Sequence, residues 1–240
     1  MALILVTGAS AGLGLETATS LAEAGHDVVL HARRADRIAD PGLHGRMRAT
    51  LYADLSDLDA TMRLAREANE LGVFDAVIHN AGVLSGADVM AVNLVAPYVL
   101  TALMNPPRRA IFLSSSMHRG GSTDLGGDLS RRGYSDSKLY VTALAMAYAE
   151  QRPDALVHAV DPGWVPTRMG GRGAPDSLEE GHRTQEWLAT AAEGEIVPQT
   201  GAYWYHRSPQ RPHPATRDPR FQRELVAGLA QYTGIGSWTE

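Results

Sequence analysis

Apolar positions along the chain fall into two rhythms. Short, continuously apolar runs occupy Ala2–Thr7, Asp27–His31, Ala49–Ala53, Phe74–His79, Ala110–Leu113 and Leu156–Val160. Between them lie longer segments with apolar residues at helical spacing: Leu13–Ala24, Leu58–Leu71, Ala87–Met104 and Tyr134–Glu150. Strands that are apolar throughout, joined by helices, predict a parallel sheet covered on both faces. Right-handed crossovers then favour one doubly wound α/β sheet of about seven strands. After Pro162 the rhythm breaks. One helix is expected near Leu178–Ala192, a last strand at Ala202–His206, a proline-rich surface loop over 207–219 and a final helix at Phe221–Tyr232. The chain reads as a single domain: a core (1–163), a substrate-lid region (164–200) and a closing strand and helix (201–240). Gly170, Gly171, Gly173 and Gly181 make Arg168–Ile196 the expected mobile lid.

Composition narrows the function. A net charge of −5 gives no basic footprint for nucleic acid and no polybasic membrane patch. The first apolar run ends at Gly8, far short of the roughly 18 residues a membrane span needs. With no cysteine there is neither a disulfide framework nor a thiolate metal site, which fits a cytoplasmic location. The nine histidines form no HxH or HExxH pattern, so no metal is expected. His26, His44, His182, His206 and His213 read as solvated. The triple serine at 114–116 lacks the GxSxG elbow of a hydrolase.

The first run leads directly into Thr7-Gly8-Ala9-Ser10-Ala11-Gly12-Leu13-Gly14. A strand, a glycine-rich turn and a helix N-terminus form an anion site, and glycines let a pyrophosphate approach. This is where a Rossmann fold binds a dinucleotide. The second strand should end near His31-Ala32-Arg33-Arg34. An acid that would hold a ribose 2′-OH is missing, and two guanidinium groups follow. The expected cofactor is therefore NADP(H) rather than NAD(H), with Arg33 the first contact and Arg34 the second.

Tyr134-Ser135-Asp136-Ser137-Lys138 opens a helix, so Tyr134 and Lys138 project into one space. A nearby ammonium favours a phenolate, and the expectation is that Lys138 lowers the pKa of Tyr134 toward neutrality. The chain holds 21 arginines and one lysine, Lys138, so the ammonium here is no generic cation.

These residues resemble the classical short-chain dehydrogenase/reductase family. Thr7–Gly14 is similar to its TGxxxGxG turn and Asn80-Ala81-Gly82 to its NNAG motif, with His79 for the first Asn. Tyr134–Lys138 is similar to YxxxK, and Pro162–Thr167 to the PGxxxT segment. The resemblance implies an NADP(H)-dependent oxidoreductase acting on a small carbonyl or alcohol. Gly8, Ser10, Gly12, Leu13, Gly14, Asp54, Leu55, Asn80, Ala81, Gly82, Pro162, Gly163, Val165 and Thr167 would bind the cofactor, with Tyr134 and Lys138. Tyr134 would exchange the substrate proton. Lys138 would tune Tyr134 and hold the nicotinamide ribose. Ser115, with Ser116 competing, would polarise the substrate oxygen, and Asn93 would hold a relay water. Ser115 and Tyr134 lie 19 positions apart, longer than is common in the family. That insert resembles the retinol-dehydrogenase-like and protochlorophyllide-reductase-like branch. Ser116, Met117, His118 and Trp164 are candidate pocket residues. In many relatives the helices expected at 87–104 and 134–150 bundle between copies, which implies a homodimer or homotetramer. Two other readings are a catalytically silent NADP(H)-binding sensor or scaffold, and a sugar epimerase or dehydratase.

Overall fold

Alternate residues of each inner strand point to opposite faces, and both faces are apolar. The computed structural model describes residues 1–38, 41–236 and 238. Its strands are β1 (Leu3–Val6), β2 (Asp27–Ala32), β3 (Ala49–Tyr52), β4 (Ala76–His79), β5 (Arg109–Leu113), β6 (Leu156–Asp161), β7 (Ala202–Tyr205) and β8 (Ser208–Gln210). Its helices are α1 (Gly12–Glu23), α2 (Pro41–Arg46), α3 (Leu58–Leu71), α4 (Ala96–Leu103), α5 (Tyr134–Gln151), α6 (Leu178–Thr190) and α7 (Pro219–Thr233). The sheet order is β3-β2-β1-β4-β5-β6-β7-β8, parallel as far as β7. This is the doubly wound α/β Rossmann arrangement. The order reverses between β1 and β4, and ligands of such sheets bind beyond the strand ends at that switch.

Ile4, Val6, Val28, Leu30 and Ile111 pack against α1 and α6 through Ala18, Leu21 and Leu188. Leu5, Val29 and Val77 face the other way, onto Leu64 and Ala68 of α3 and Leu100 of α4. Phe112, Val157 and Ala159 meet Leu144 and Tyr148 of α5. Each such large side chain contributes about 1.5–3 kcal/mol by leaving water.

Helix α5 is buried continuously from Ser137 to Ala149. Its outer face is covered by α7 and by the turns Ser116–Gly120 and Pro214–Arg217. Trp238 adds its ring against Tyr98 and Tyr148, at 5.3 and 5.2 Å between centroids. None of the exposed large apolar side chains among the described residues lies on α4 or α5. The helices expected to bundle between copies are covered by their own chain.

Three further features differ from expectation. An eighth strand occupies part of the expected loop. β8 folds back antiparallel on β7 through His206 and Arg207, both at positive φ (46° and 58°). Such a turn is usually marked by Asn or Gly, which the sequence lacks here. Pro209 is tolerated because β8 is an edge strand. The expected helix from Ala87 is interrupted by a π turn over Ala91–Val95, a form common at functional sites. Finally, α6 is a core helix: Leu188 and Ala189 are buried, and Gln185 bonds Thr17 of α1 at 3.3 Å. The stretch before it, 162–177, is irregular.

The side chain of His44 lies outside those described. His26, His182, His206 and His213 are half-buried rather than solvated. His26 accepts from the Ala2 N–H, and His182 pairs with Glu186 at 2.5 Å.

Candidate active site and nucleotide groove

The groove begins where β1 turns into α1. Gly8 has φ +65°, and a Cβ there would lie 2.7 Å from the Ala81 Cα. At Gly14 a Cβ would meet the Asn80 Nδ2 at 2.3 Å. Both glycines are required by close approach. Asn80 donates to the carbonyls of Thr7 and Gly8 at 2.8 and 3.3 Å, so it fixes the turn from beneath. His31 fixes it from the side: its Nδ1 accepts the Gly8 N–H and its Nε2 meets the Ala53 carbonyl, both at 3.0 Å. Burial pulls this imidazole down to about 4, so it stays neutral with Nε2 protonated. In the sequence His31 registered only as a missing acid. The N-terminus of α1 has no side-chain cap, and Ala11 to Gly14 line the groove. Its free N–H groups are a site for an anion.

The groove encloses about 500 Å³. Gly8, Ser10, Gly12, Leu13, Gly14, Asn80, Ala81 and Gly82 line it, as expected positions. So do Arg33, Asp54 and Leu55 at one end and Tyr134, Lys138, Pro162 and Thr167 at the other. Arg33 pairs with Asp54 at 2.5 Å across the mouth. Burial works to raise Asp54, but two Ser56 hydrogen bonds and Arg33 hold its carboxyl below the usual range. Arg34 turns away to Asp36 at 3.1 Å and is not part of the lining. Uncapped N–H groups, tight glycines and a guanidinium at one end fit a dinucleotide bearing an extra phosphate.

At the other end Lys138 is 4% exposed, and its Nζ donates to the Leu113 carbonyl at 2.7 Å. It lies 5.5 Å from the centre of the Tyr134 ring. Burial pulls this ammonium down to about 8, while Asp161 opposes the fall. The Tyr134 phenol is raised above its ordinary value, contrary to expectation. Burial raises it most, the Ser115 hydroxyl opposes by hydrogen bonding, and the negative charge of Asp161 adds to the rise. The ammonium donates to the Leu113 carbonyl, and the net shift of the phenol is upward. Asn93, in the π turn, is buried and fully paired. It bridges the Val83 backbone (2.8 and 2.9 Å) and the Ser137 hydroxyl (3.0 Å), which donates to the Tyr134 carbonyl at 2.7 Å.

The remaining expected residues form a surround. Ser115 is half-buried and accepts from Met117 N, whereas Ser116 is exposed. His118 is buried rather than open to a substrate. Its Nδ1 meets the Ser115 carbonyl at 2.7 Å and its Nε2 accepts the His213 N–H at 2.9 Å. Val165 is buried against Gly181 of α6. Gly163 donates to Asp161 at 3.0 Å. Trp164 and Met117 are exposed and are not part of the groove lining. Trp164 and Asp176 clip the stretch 164–176 into a closed loop: the Trp164 N–H donates to Asp176 at 2.6 Å, and its carbonyl accepts from Asp176 N at 3.0 Å. That loop sends Arg168 and Met169, which the sequence did not single out, into the groove.

Residues 2–177 match the short chain dehydrogenase family. The short-chain dehydrogenase chry4 of Gibberella zeae is 40% identical to this chain, over 98% of both sequences. Retinol dehydrogenase 13 of Mus musculus is 27% identical over 97% of this chain and 84% of its own length. A short chain dehydrogenase of Escherichia coli CFT073, solved in complex with NADPH, superposes with a TM-score of 0.71. It is 24% identical and covers 86% of this chain and 97% of its own, a likeness of fold.

Proposed function

The chain belongs to the short-chain dehydrogenase/reductase family of oxidoreductases, on its retinol-dehydrogenase-like branch, and from that premise we propose that it is an NADP(H)-dependent carbonyl reductase with Tyr134 as proton donor. One observation carries the reading. A glycine turn and Arg33 stand at one end of a groove whose other end holds Tyr134, Lys138 and the nearby Ser115 hydroxyl.

The Gly8–Gly14 turn would hold the pyrophosphate. Arg33 would bind the 2′-phosphate, exchanging an exposed ion pair worth about 0–1 kcal/mol for a stronger doubly charged partner. When bound, the reduced nicotinamide supplies a hydride to the carbonyl carbon. Tyr134 gives its hydroxyl proton to the carbonyl oxygen as negative charge grows there, and Ser115 steadies that oxygen by a hydrogen bond. Lys138 places its charge behind the phenol and so stabilises the phenolate left after transfer. A phenol raised by burial rests protonated, which favours reduction over oxidation near neutral pH. The exposed apolar side chain of Met169 lines the groove and suits an apolar carbonyl substrate. The clipped loop 164–176 is the part that moves over it. Because α5 is covered by its own chain, assembly through that helix is disfavoured, and light scattering reads the oligomeric state directly.

NADPH absorbance followed with a panel of ketones, aldehydes and quinones tests the proposal. Turnover that is lost in Tyr134→Phe supports it. Tight NADPH binding with no turnover across the panel favours a silent binder, and equal affinity for NADH overturns the cofactor assignment.

A further inference from the structure

β6 ends in a carboxylate to which the mechanism above gives no task. Asp161 is 5% exposed. Its Oδ2 accepts the Tyr203 hydroxyl at 2.9 Å and its Oδ1 accepts the Gly163 N–H at 3.0 Å. Two donors leave part of a buried carboxylate's capacity unused, and such a charge is costly unless an opposite charge lies near.

The register of the sheet supplies that charge. Val160 pairs with Leu113, whose carbonyl holds the Lys138 ammonium, and Ser114 N donates to the Val160 carbonyl at 2.6 Å. Asp161 therefore stands one residue beyond the level at which the single lysine reaches the sheet edge. Its own position is fixed from two sides. Tyr203 belongs to β7, and the His118 ring packs on the Tyr203 ring at 4.6 Å between centroids. His118 in turn holds the Ser115 carbonyl. Gly163 opens the loop clipped by Trp164 and Asp176, and a Cβ at Gly163 would lie 2.5 Å from Asp176 Oδ2.

We propose that Asp161 is a positioning residue of the Tyr134–Lys138 pair: a fixed buried carboxylate that balances the ammonium and keeps Tyr134 a neutral phenol, loaded to donate. The inference rests on Tyr134 being the proton donor. The charged surroundings agree with it. From α5, Tyr134 and Lys138 both feel Asp161, each in the direction of its protonated form. From β7, Tyr203 and Tyr205 are raised, by burial first and by Asp161 among the charges. From the turn after β5, His118 is lowered by burial and by Arg119 and His213, with Asp161 opposing. Asp176 bears on Tyr205.

Lys138 is the only lysine, so protein grown with carbon-labelled lysine gives one side-chain resonance to titrate by NMR. This needs neither substrate nor NADPH. The wild-type resonance titrates near pH 8. In Asp161→Asn the midpoint moves down, by on the order of half a pH unit, because the ammonium loses the negative charge that opposes its fall. Asp161→Ser, checked for folding by circular dichroism, shifts it the same way and guards against misfolding of the first variant. The alkaline limb of carbonyl reduction also moves to lower pH in both variants. A folded variant whose Lys138 midpoint stays in place, with only its thermal stability reduced, shows a merely structural carboxylate and overturns the proposal. If no carbonyl is reduced at all, the proposed function fails, while the lysine titration still decides the role of Asp161.

Discussion

The two ends of the groove handle charge in opposite ways. At the adenosine end, Arg33 and Asp54 are paired in the open, with side chains 52% and 34% exposed. At the reactive end, Lys138 and Asp161 are 4% and 5% exposed. Water screens the first pair, so it is replaceable by a ligand phosphate and alters affinity more than stability. The second pair is removed from water, and there Asp161 holds the Lys138 ammonium and the Tyr134 phenol toward their protonated forms. Affinity is adjusted where charges are screened, and reactivity where they are not.

The largest expected effect tests the buried end. Tyr134→Phe should lower kcat/KM for carbonyl reduction by about 10²–10⁴-fold while leaving NADPH binding unchanged by fluorescence titration. A comparable loss of binding would mean that both ends work through affinity, and the contrast would collapse.

Next comes acid stability, which sets His31 of the groove beside two imidazoles of the core, His79 and His158. Burial keeps His31 and His158 neutral, lowered to about 4, and His79 to about 3, from an ordinary 6.5. Below pH 6.5 the unfolded chain takes up protons that the fold refuses. Stability present above pH 6.5 is therefore lost as pH falls toward 4, on the order of 2–3 kcal/mol for each imidazole. Thermal melts from pH 7 to 4 measure this. Replacing His31 and His158 separately by Gln shows which imidazole carries more of the loss, and a flat profile in the wild type removes the argument.

Arg33→Ala should weaken NADPH binding by about tenfold, the value of one charge-assisted contact, and leave NADH binding unaltered. The smallest effect is expected at Arg34, which is turned to Asp36: Arg34→Ala should change NADPH affinity by less than about 0.5 kcal/mol. Equal losses at the two arginines would mean that the groove closes on its ligand further than the free structure does.

Legibility differs along the same line. Continuously apolar runs and segments of helical spacing are local signals, and the sheet from β1 to β7 follows them. The glycine turn and the Tyr134–Lys138 pair were legible for the same reason, since each is specified within a few residues. His31 and Asp161 were not. His31 contributes by joining Gly8 to Ala53, and Asp161 by standing beside a strand whose carbonyl holds Lys138. Nothing local marks either role. The β7–β8 turn was hidden because His206 and Arg207 occupy positive φ without the residues that usually announce it.

The sequence by itself determined the order of strands and helices, the anion-binding turn and the presence of one ammonium beside one phenol, because spacing along the backbone is enough to place them. Tertiary structure decided the sign of the phenol's shift, the core role of α6 and the covering of α5. These depend on which distant segments exclude water from a side chain, and burial is a property of the packed chain as a whole.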